Sequence, residues 1–292
     1  MTKDMRVQVT LTPAGSKKLI AKGVSQIASF KNALEKGLIA IHPSSTTFFL
    51  IEELLGKKPE GIWLCGAVFP RGMCISYERQ QLTYLKPVED RQKGGPGAFP
   101  HTWVLERGVF KTGIPIHEIL EKMDKDDIYV KGANAIDKEG RVGVLYASKG
   151  AGTIAKVMIA SRRKGFSIIL PVGVEKMIPG SISDAAKMAS RERTDMAMGI
   201  PVGLIPVAGK VITEVEAIRL LFGAEAVVVA CGGLSGAEGA TTLVIRGAKE
   251  KVMRAFEVIQ DCKRAKLPLI YPPDCSICLY PTCHFRGKGI EK

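Results

Sequence analysis

The recurring order of strand, loop and helix constrains the fold of this chain more than any other feature. In "GLIAIHPSSTTFFLIEELLG", residues 37–56, a short apolar strand at 38–41 precedes a polar turn and an amphipathic helix from about Thr47 to Leu55. The stretches "DIYVKGANAID", "AGTIAKVMIASRRKG" and "FSIILPVG" then predict a strand with its turn, a helix and a strand. This alternation predicts an α/β fold with a doubly wound, Rossmann-like parallel sheet covered on both faces.

The pattern changes near Gly199, where a smaller unit is expected. The stretches "VGLIPVAG", "ITEVEAIRLLFG", "AEAVVVACGG", "ATTLVIRGA" and "KEKVMRAFEVIQDCKRA" have the patterns of a strand, a helix, two strands and a helix. That order predicts a small ferredoxin-like α+β domain of the split-βαβ type. We therefore expect a ligand-binding core at residues 1–196, the small domain at 197–266 and a cysteine-rich tail at 267–292.

Composition and charge narrow the class of protein and of ligand. The 292 residues are 46% hydrophobic and 24% charged, which is typical of a folded soluble protein. The start, "MTKDMRVQVTLTPAG", is charged where a signal peptide would be apolar, and no apolar run could span a bilayer, so we expect a cytoplasmic protein without a membrane partner. The formal charge of +13 is spread along the chain, which favours phosphate-bearing small ligands over nucleic acid. The scarcity of asparagine and glutamine resembles thermophile usage.

Three loops fall at the carboxyl ends of predicted strands, where open α/β sheets bind ligands. "HPSSTT", residues 42–47, places four hydroxyl side chains before a helix N-terminus, which suits a phosphate or carboxylate, although simple helix capping is an alternative. "KGANAID" follows a later strand. "YASKGAGT" places Gly150 and Gly152 ahead of a helix, where glycines allow the backbone to approach a ligand and Lys149 adds a charge.

The order and spacing of these loops, followed by "VEKMIPG", resemble ribose-5-phosphate isomerase type A. The resemblance covers roughly residues 20–265, includes the small appended domain and leaves out the cysteine tail. More broadly, the core resembles the superfamily that also contains glucosamine-6-phosphate deaminases and coenzyme A transferases. The family's pattern is matched by Ser45, Thr46, Gly132, Ala133, Ile136, Asp137, Lys149, Gly150, Gly152 and Lys176.

The chain departs from that pattern at the residues that carry the isomerase chemistry. Lys131 and Asn134 stand where the family has aspartates, Ala135 replaces a glutamate, and the catalytic base falls on about Met158. Isomerisation removes a proton beside a carbonyl and needs such a base, so we do not expect a ribose-5-phosphate isomerase. Asn134 keeps the shape of aspartate without its charge, which favours anion binding; an asparagine that merely adopts a turn with positive φ is the alternative.

We therefore expect the pocket to bind a phosphorylated or otherwise anionic small metabolite, in a chain that also associates with copies of itself. The residues predicted to bind the ligand are Ser44, Ser45, Thr46, Thr47, Lys131, Gly132, Asn134, Asp137, Lys149, Gly150, Gly152 and Lys176. One alternative is an enzyme of the same superfamily, a transferase, a lyase or an isomerase of another phosphorylated substrate, that uses His42, Lys131 or Lys149. The other is a redox or interaction module in which the cysteine tail is the functional part.

The tail contains "CSICLYPTCH", which has the spacing of a metal site. Thiolates of Cys275, Cys278 and Cys283 can converge on one ion, and His284 or Cys262 would complete four ligands for zinc or an iron–sulfur cluster. The alternative is that these are reduced cysteines without a ligand.

Overall fold

The protein is a mixed α/β structure, which confirms the α/β class predicted from the sequence. The computed structural model describes residues 4–59, 64–77, 80, 102–278 and 280–288, with the side chains of Cys65 and Lys149 left out of the description. Within these residues the chain forms eight α-helices and fourteen strands in several sheets. None of the described helices is both long and apolar enough to cross a membrane.

The helices and strands are numbered in chain order. The strands are β1 (Met5–Leu11), β2 (Leu38–Ile41), β3 (Cys65–Phe69), β4 (Gly72–Ile75), β5 (Trp103–Glu106), β6 (Val109–Lys111), β7 (Ile128–Val130), β8 (Ala135–Ile136), β9 (Val142–Tyr146), β10 (Ser167–Pro171), β11 (Gly203–Val207), β12 (Lys210–Ile212), β13 (Glu225–Cys231) and β14 (Thr241–Gly247). The helices are α1 (Pro13–Ser25), α2 (Ala28–Lys36), α3 (Ser45–Leu55), α4 (Ile116–Lys122), α5 (Gly152–Lys164), α6 (Ile182–Met188), α7 (Glu214–Phe222) and α8 (Lys249–Cys262).

A six-stranded mixed sheet forms the centre of the described structure, in the order β12-β10-β7-β2-β5-β6. Strands β12, β10, β7 and β2 run parallel to one another, as predicted for β2, β7 and β10. Strand β12 was not predicted in this sheet, since residues 210–212 were expected in the small domain. The prediction of a wholly parallel sheet is wrong at one edge, where β5 and β6 are antiparallel. The reason for the β5–β6 pair is local: Arg107 and Gly108, with φ of 50° and 77°, make a two-residue hairpin turn, and a hairpin can only join antiparallel strands.

Both faces of this sheet are covered by helices. Successive residues of β2 enter different hydrophobic cores: Ile39 and Ile41 pack with α1, α2 and α3, whereas Leu38 and Ala40 pack on the opposite side with α4 and α5. All four residues are buried. Side chains alternate across a strand, so a strand that is apolar at every position must be covered twice.

The smaller antiparallel sheet has the order β1-β14-β13, and its composition corrects the predicted small domain. Residues 203–207, expected to open that domain, instead form β11 and pair with β9 in a separate sheet, β11-β9-β8. The third strand of the small sheet is instead the N-terminal strand β1. It pairs with β14 along its whole length, from Met5 opposite Gly247 to Leu11 opposite Thr241. Pairing between strands so far apart in sequence leaves no local signal. The division into three domains stays a prediction.

The hairpin β3–β4 and the C-terminal tail lie together. The backbone N–H of Tyr77 donates to the carbonyl of Tyr271 (2.9 Å). The side chain of Gln80 bonds the backbone of Asp274 twice: its amide donates to the Asp274 carbonyl (2.6 Å), and its oxygen accepts from the Asp274 N–H (2.7 Å). The tail is thereby fastened beside the hairpin, next to the carboxyl ends of the parallel strands.

Candidate functional site

A cavity of about 510 Å³ opens at the carboxyl ends of β2, β7 and β10. Of the predicted ligand-binding residues, the structure brings six to this cavity: Ser44, Ser45, Lys131, Gly132, Asn134 and Lys176. The opposite wall is apolar and comes from the hairpin, through Val68 and Phe69, and from the tail, through Leu267 and Ile270. The cavity therefore has a polar end at the sheet and a nonpolar side.

The first loop ends in the N-terminus of α3. Ser44 is the N-cap, and its hydroxyl accepts from the backbone N–H of Thr47 (3.2 Å). The Thr47 hydroxyl donates to the carbonyl of His42 (2.8 Å). Thr46 and Thr47 are 2% and 0% exposed and do not line the cavity, which corrects their prediction as ligand contacts, since the first helical turn buries both against the core. Helix capping therefore accounts for the hydroxyl groups of Ser44 and Thr47. Ser44 and Ser45 also line the cavity, where they can contact a ligand.

Gly132 allows the first two loops to approach each other. A Cβ at this position would lie 2.9 Å from the Ser44 hydroxyl oxygen, closer than a carbon atom can be accommodated. Backbone bonds fix both loops to the sheet: the N–H of Lys131 donates to the Ile169 carbonyl (3.0 Å), and that of His42 donates to the Val130 carbonyl (2.9 Å). The loops thus leave the sheet side by side, with the Lys131 side chain facing the cavity.

Asn134 uses both ends of its amide. Its Oδ1 accepts from the backbone N–H of Leu145 (3.0 Å), and its Nδ2 donates to the carbonyl of Gly66 in the hairpin (3.2 Å). A carboxylate has no hydrogen to donate, so aspartate could not make the second bond. Asn134 is not among the described non-glycine residues with positive φ, so the turn-conformation interpretation is wrong.

Asp137 was predicted to bind ligand and is instead a buried structural acceptor. It is 1% exposed and accepts from the backbone N–H groups of Glu139 (3.1 Å), Arg141 (2.9 Å) and Ile182 (3.0 Å) and from Arg141 Nε (2.8 Å). Burial acts to raise the pKa of this carboxyl, but the hydrogen bonds from Ile182 and Arg141 hold it below its usual value. Asp137 does not line the cavity because these bonds turn it toward α6.

A second cavity of about 160 Å³ adjoins the first and shares Gly66, Lys131 and Leu145 with it. The third loop reaches this second cavity: Gly152 lines it, at the start of α5, whose N-cap has no side-chain hydrogen bond. Gly150, two residues earlier in the short 3-10 helix Lys149–Ala151, does not line it. The Lys149 side chain lies outside the described part of the chain.

His42 faces the second cavity and contacts a buried tyrosine. The Tyr129 hydroxyl lies 3.4 Å from His42 Nδ1. Tyr129 is 0% exposed, and this burial raises the pKa of its hydroxyl. The Tyr129 hydroxyl is therefore a neutral hydrogen-bonding neighbour of His42.

Sequence reasoning missed a buried ionic cluster beneath the first cavity, formed by Lys17, Glu175, Lys176 and Glu214. Lys17, on α1, lines the cavity and pairs with Glu175 Oε1 (2.9 Å); the two side chains are 8% and 11% exposed. Lys176 donates to the Ala133 carbonyl (2.9 Å). Burial, aided by the charge of Lys17, lowers the pKa of Lys176 to about 8 against the opposing effect of both glutamates.

The carboxylates of this cluster do not line the cavity. Glu214 is fully buried, its Oε2 accepts from the Val174 N–H (3.0 Å), and burial raises the pKa of its carboxyl. Glu214 Oε1 and Glu175 Oε2 are buried without a hydrogen-bond partner among the described residues. None of the described residues that line the larger cavity carries a carboxylate, so the cavity presents amines to a ligand. The sequence signal for this cluster was Lys17, a charged residue on the buried, mostly apolar face of α1.

Met158 lies away from both cavities. It packs against the core on the α4 and α5 side of the sheet. The position that the resemblance assigns to the isomerase base therefore supplies a nonpolar core contact.

The tail cysteines Cys275, Cys278 and Cys283 line one small cavity, whereas the other two predicted ligands do not. His284 Nε2 lies 3.3 Å from Lys288 Nζ. Cys262 is fully buried in the core with α8, where burial raises the pKa of its thiol to about 11. The described side chains contain no group of three or more histidines, cysteines or carboxylates already placed to hold a metal ion.

Fold and cavity together define an α/β protein with a lysine-lined site at the carboxyl ends of parallel strands. No family model, no curated protein and no solved structure matches this chain. The resemblance to ribose-5-phosphate isomerase type A consequently stays a prediction from the sequence motifs.

Proposed function

We propose that the chain binds a phosphorylated or otherwise anionic small metabolite in the larger cavity, without ribose-5-phosphate isomerase activity. The observation that carries this proposal is that three lysines, Lys17, Lys131 and Lys176, line the same cavity as the N-terminus of α3. Amines and a helix N-terminus favour an anion, and the carboxylates of the ionic cluster do not line the cavity.

The size and lining of the cavity support a ligand with two unlike parts. Its volume falls within the range of about 300–1,000 Å³ that is usual for small-molecule sites. The lysine end suits a phosphate, and the side formed by Val68, Phe69, Leu267 and Ile270 suits a less polar body. Sugar phosphates, nucleotides and coenzyme A esters all combine a phosphate with such a body, so they form the screening panel.

The finer fold assignment belongs to the same proposal. Four parallel strands with helices on both faces support a doubly wound, Rossmann-like core of the isomerase superfamily. The antiparallel sheet β1-β14-β13 with α7 and α8 supports a small ferredoxin-like unit that borrows its third strand from the N-terminus. Association of the chain with copies of itself stays an expectation.

A thermal-shift screen of that panel tests the binding proposal. A ligand at a hundred times its dissociation constant adds about 2.7 kcal/mol of stability, so a genuine ligand raises the transition temperature measurably. Lys176→Met should abolish most of the shift, whereas Lys138→Ala, at a lysine whose side chain is 79% exposed, should leave it unchanged. If no phosphorylated compound shifts the transition, the proposal fails.

An enzyme of the same superfamily is the second candidate, and the pKa of Lys176 favours it. An amine with a pKa of about 8 is partly neutral near physiological pH and can attack a carbonyl. Attack by Lys176 on a phosphorylated aldehyde or ketone would release water and form an imine, which borohydride reduces to a stable secondary amine. Mass spectrometry after borohydride treatment should then find the adduct on Lys176, and its absence with every carbonyl compound tested removes this candidate.

A redox or interaction module is the third candidate. It predicts that none of the panel binds, that the protein contains metal, and that the metal changes oxidation state or is needed to retain a protein partner.

A further inference from the structure

Four cysteines from two distant parts of the chain line one small cavity of about 30 Å³. Three are the tail residues Cys275, Cys278 and Cys283, and the fourth is Cys74, in strand β4 of the hairpin. They account for four of the six described cysteines recorded as free thiols. The rest of the lining is mostly aromatic, proline and glycine residues.

We propose that Cys74, Cys275, Cys278 and Cys283 form a four-thiolate metal site that fastens the tail to the hairpin. Four thiolates are ligands for a zinc ion or an iron–sulfur cluster. The cavity as it stands has room for a single ion, so zinc is the first expectation. Because no described group of three or more such side chains is already placed to hold a metal ion, binding would have to draw the four thiols inward.

The backbone brings Cys74 and the tail to the same place through residues 197–200. On one side, the N–H of Ile200 donates to the carbonyl of Met73, the neighbour of Cys74 (2.6 Å). On the other side, the N–H of His284 donates to the carbonyl of Ala197 (2.9 Å), which holds the neighbouring Cys283. The segment therefore connects the two halves of the site independently of any thiol contact.

Gly199 makes this connection possible. Its φ is +88°, and a Cβ there would collide with the backbone of Met73. A side chain would push the hairpin away from residues 197–200 and carry Cys74 out of the cavity. The close approach is thus built into the sequence.

The tail has the tight turn that a pair of metal-binding cysteines needs. The N–H of Cys278 donates to the carbonyl of Cys275 (3.3 Å), and the N–H of Gly287 donates to the same carbonyl (2.8 Å). Two intervening residues then place both thiols on one side of the turn. Arg71, from the hairpin, lies over the Phe285 ring, 5.2 Å from its centre, and closes the far end of the tail.

The chemistry of the cavity lining favours a cation. Four thiolates can share so small a space only if positive charge enters with them, and a metal ion supplies that charge while displacing the protons.

Cys74, rather than Cys262 or His284, is the fourth ligand in this site. Cys262 is buried in the hydrophobic core formed with α1, α2 and α3. The His284 ring packs edge-on against the Phe285 ring, and the two ring centres are 5.1 Å apart. Neither Cys262 nor His284 lines the cavity. The site does not depend on metabolite binding, although Phe69 lines both this cavity and the metabolite cavity.

Metal analysis of anaerobically purified protein, before and after reconstitution with zinc or with iron and sulfide, tests the site. We expect about one metal site per chain by ligand count. Visible absorption identifies an iron–sulfur cluster, and a colourless protein with zinc identifies the single ion. Cys74→Ser and Cys278→Ser should each lose most of the metal, whereas Cys231→Ser, at an exposed cysteine, and His284→Ala should retain it.

Two outcomes overturn the proposal: wild-type protein that takes up no metal on reconstitution, or a folded Cys74→Ser variant with unchanged metal content while Cys278→Ser loses it. If Cys74→Ser does not fold, cobalt replaces zinc in the wild-type protein, and the intensity of its thiolate charge-transfer bands counts the sulfur ligands. Four sulfur ligands support the proposed site, and three sulfur ligands overturn it. Failure of the metal-site proposal would leave the metabolite proposal standing. The thermal-shift screen measures binding of phosphorylated compounds and its dependence on Lys176, and it does not depend on metal content.

Discussion

Replacing Asn134 by aspartate tests the structural role of the amide at the edge of the metabolite cavity. The change keeps the acceptor for the Leu145 N–H and removes the donor to the Gly66 carbonyl, so that a carboxylate faces a carbonyl oxygen. Losing one partner of a buried hydrogen bond costs about 1–3 kcal/mol. The bond is partly buried, so we expect a loss of about 1–2 kcal/mol in the free energy of unfolding at neutral pH.

Urea denaturation of the wild type, Asn134→Asp and the matched control Asn32→Asp measures this loss. Asn32 is the other asparagine of the chain and is exposed on α2, so its replacement should change stability by less than about 0.5 kcal/mol. The carbonyl of Gly66 should raise the pKa of the introduced carboxyl in the folded state. The variant is therefore least destabilised at low pH, where the protonated carboxyl can donate, and loses stability as pH rises through that pKa.

Hydrogen exchange locates the effect. Amides of the hairpin β3–β4 should exchange faster in Asn134→Asp, because the lost bond is the one that joins Asn134 to that hairpin. Equal stability of Asn134→Asp and wild type at neutral pH, with unchanged exchange in the hairpin, would refute the bridging role of the amide.

Two further predictions concern the chemistry of the cavity. Ribose-5-phosphate isomerisation should be undetectable above background, because Met158 packs in the core where the family has its base and loss of a general base alone costs about 10²–10⁴-fold; robust turnover would show that the residue correspondence is wrong. Anion affinity should fall as pH rises above about 8, because Lys176 binds the anion in its charged form; calorimetry in two buffers should detect proton uptake there, and Lys176→Met should abolish it. A flat affinity across that range would exclude Lys176 from the contact.

The sequence predicted the central sheet because its strands carry an unusual pattern. Strands β2 and β7 are buried at every position, and "LIAI" and "IYV" are apolar at every position. The predicted helix after β2 begins two residues earlier than expected, at Ser45, since Ser44 caps it. The pairing of β14 with β1 could not be predicted, because β1 lies more than 200 residues away in the sequence. Strand pairing at that distance depends on the assembled core.

The sequence predicted the loops of the site better than the groups behind them. Lys131 was predicted from its loop at a strand end and Lys176 from the resemblance, and both line the cavity. Lys17 and Glu214 lie on helices with ordinary amphipathic patterns, and only tertiary packing reveals that they are buried. The proposed role of Cys74 as a metal ligand could not be predicted either. A cysteine in a strand is usually a small buried apolar residue, and only the packing of the tail against the hairpin brings Cys74 near the tail cysteines.

The affinity of the best phosphorylated hit, compared with that of the same molecule without its phosphate, tests the central claim most directly. Titration calorimetry should show tight binding of the phosphorylated form and weak or no binding of the other. Lys131→Ala, which removes one charge-assisted contact worth about 1.5–3 kcal/mol, should weaken the phosphorylated ligand about ten- to hundredfold, while the exposed-site control Lys138→Ala should not. Equal affinity for both forms of the molecule, or equal binding by Lys131→Ala and wild type, would contradict the account.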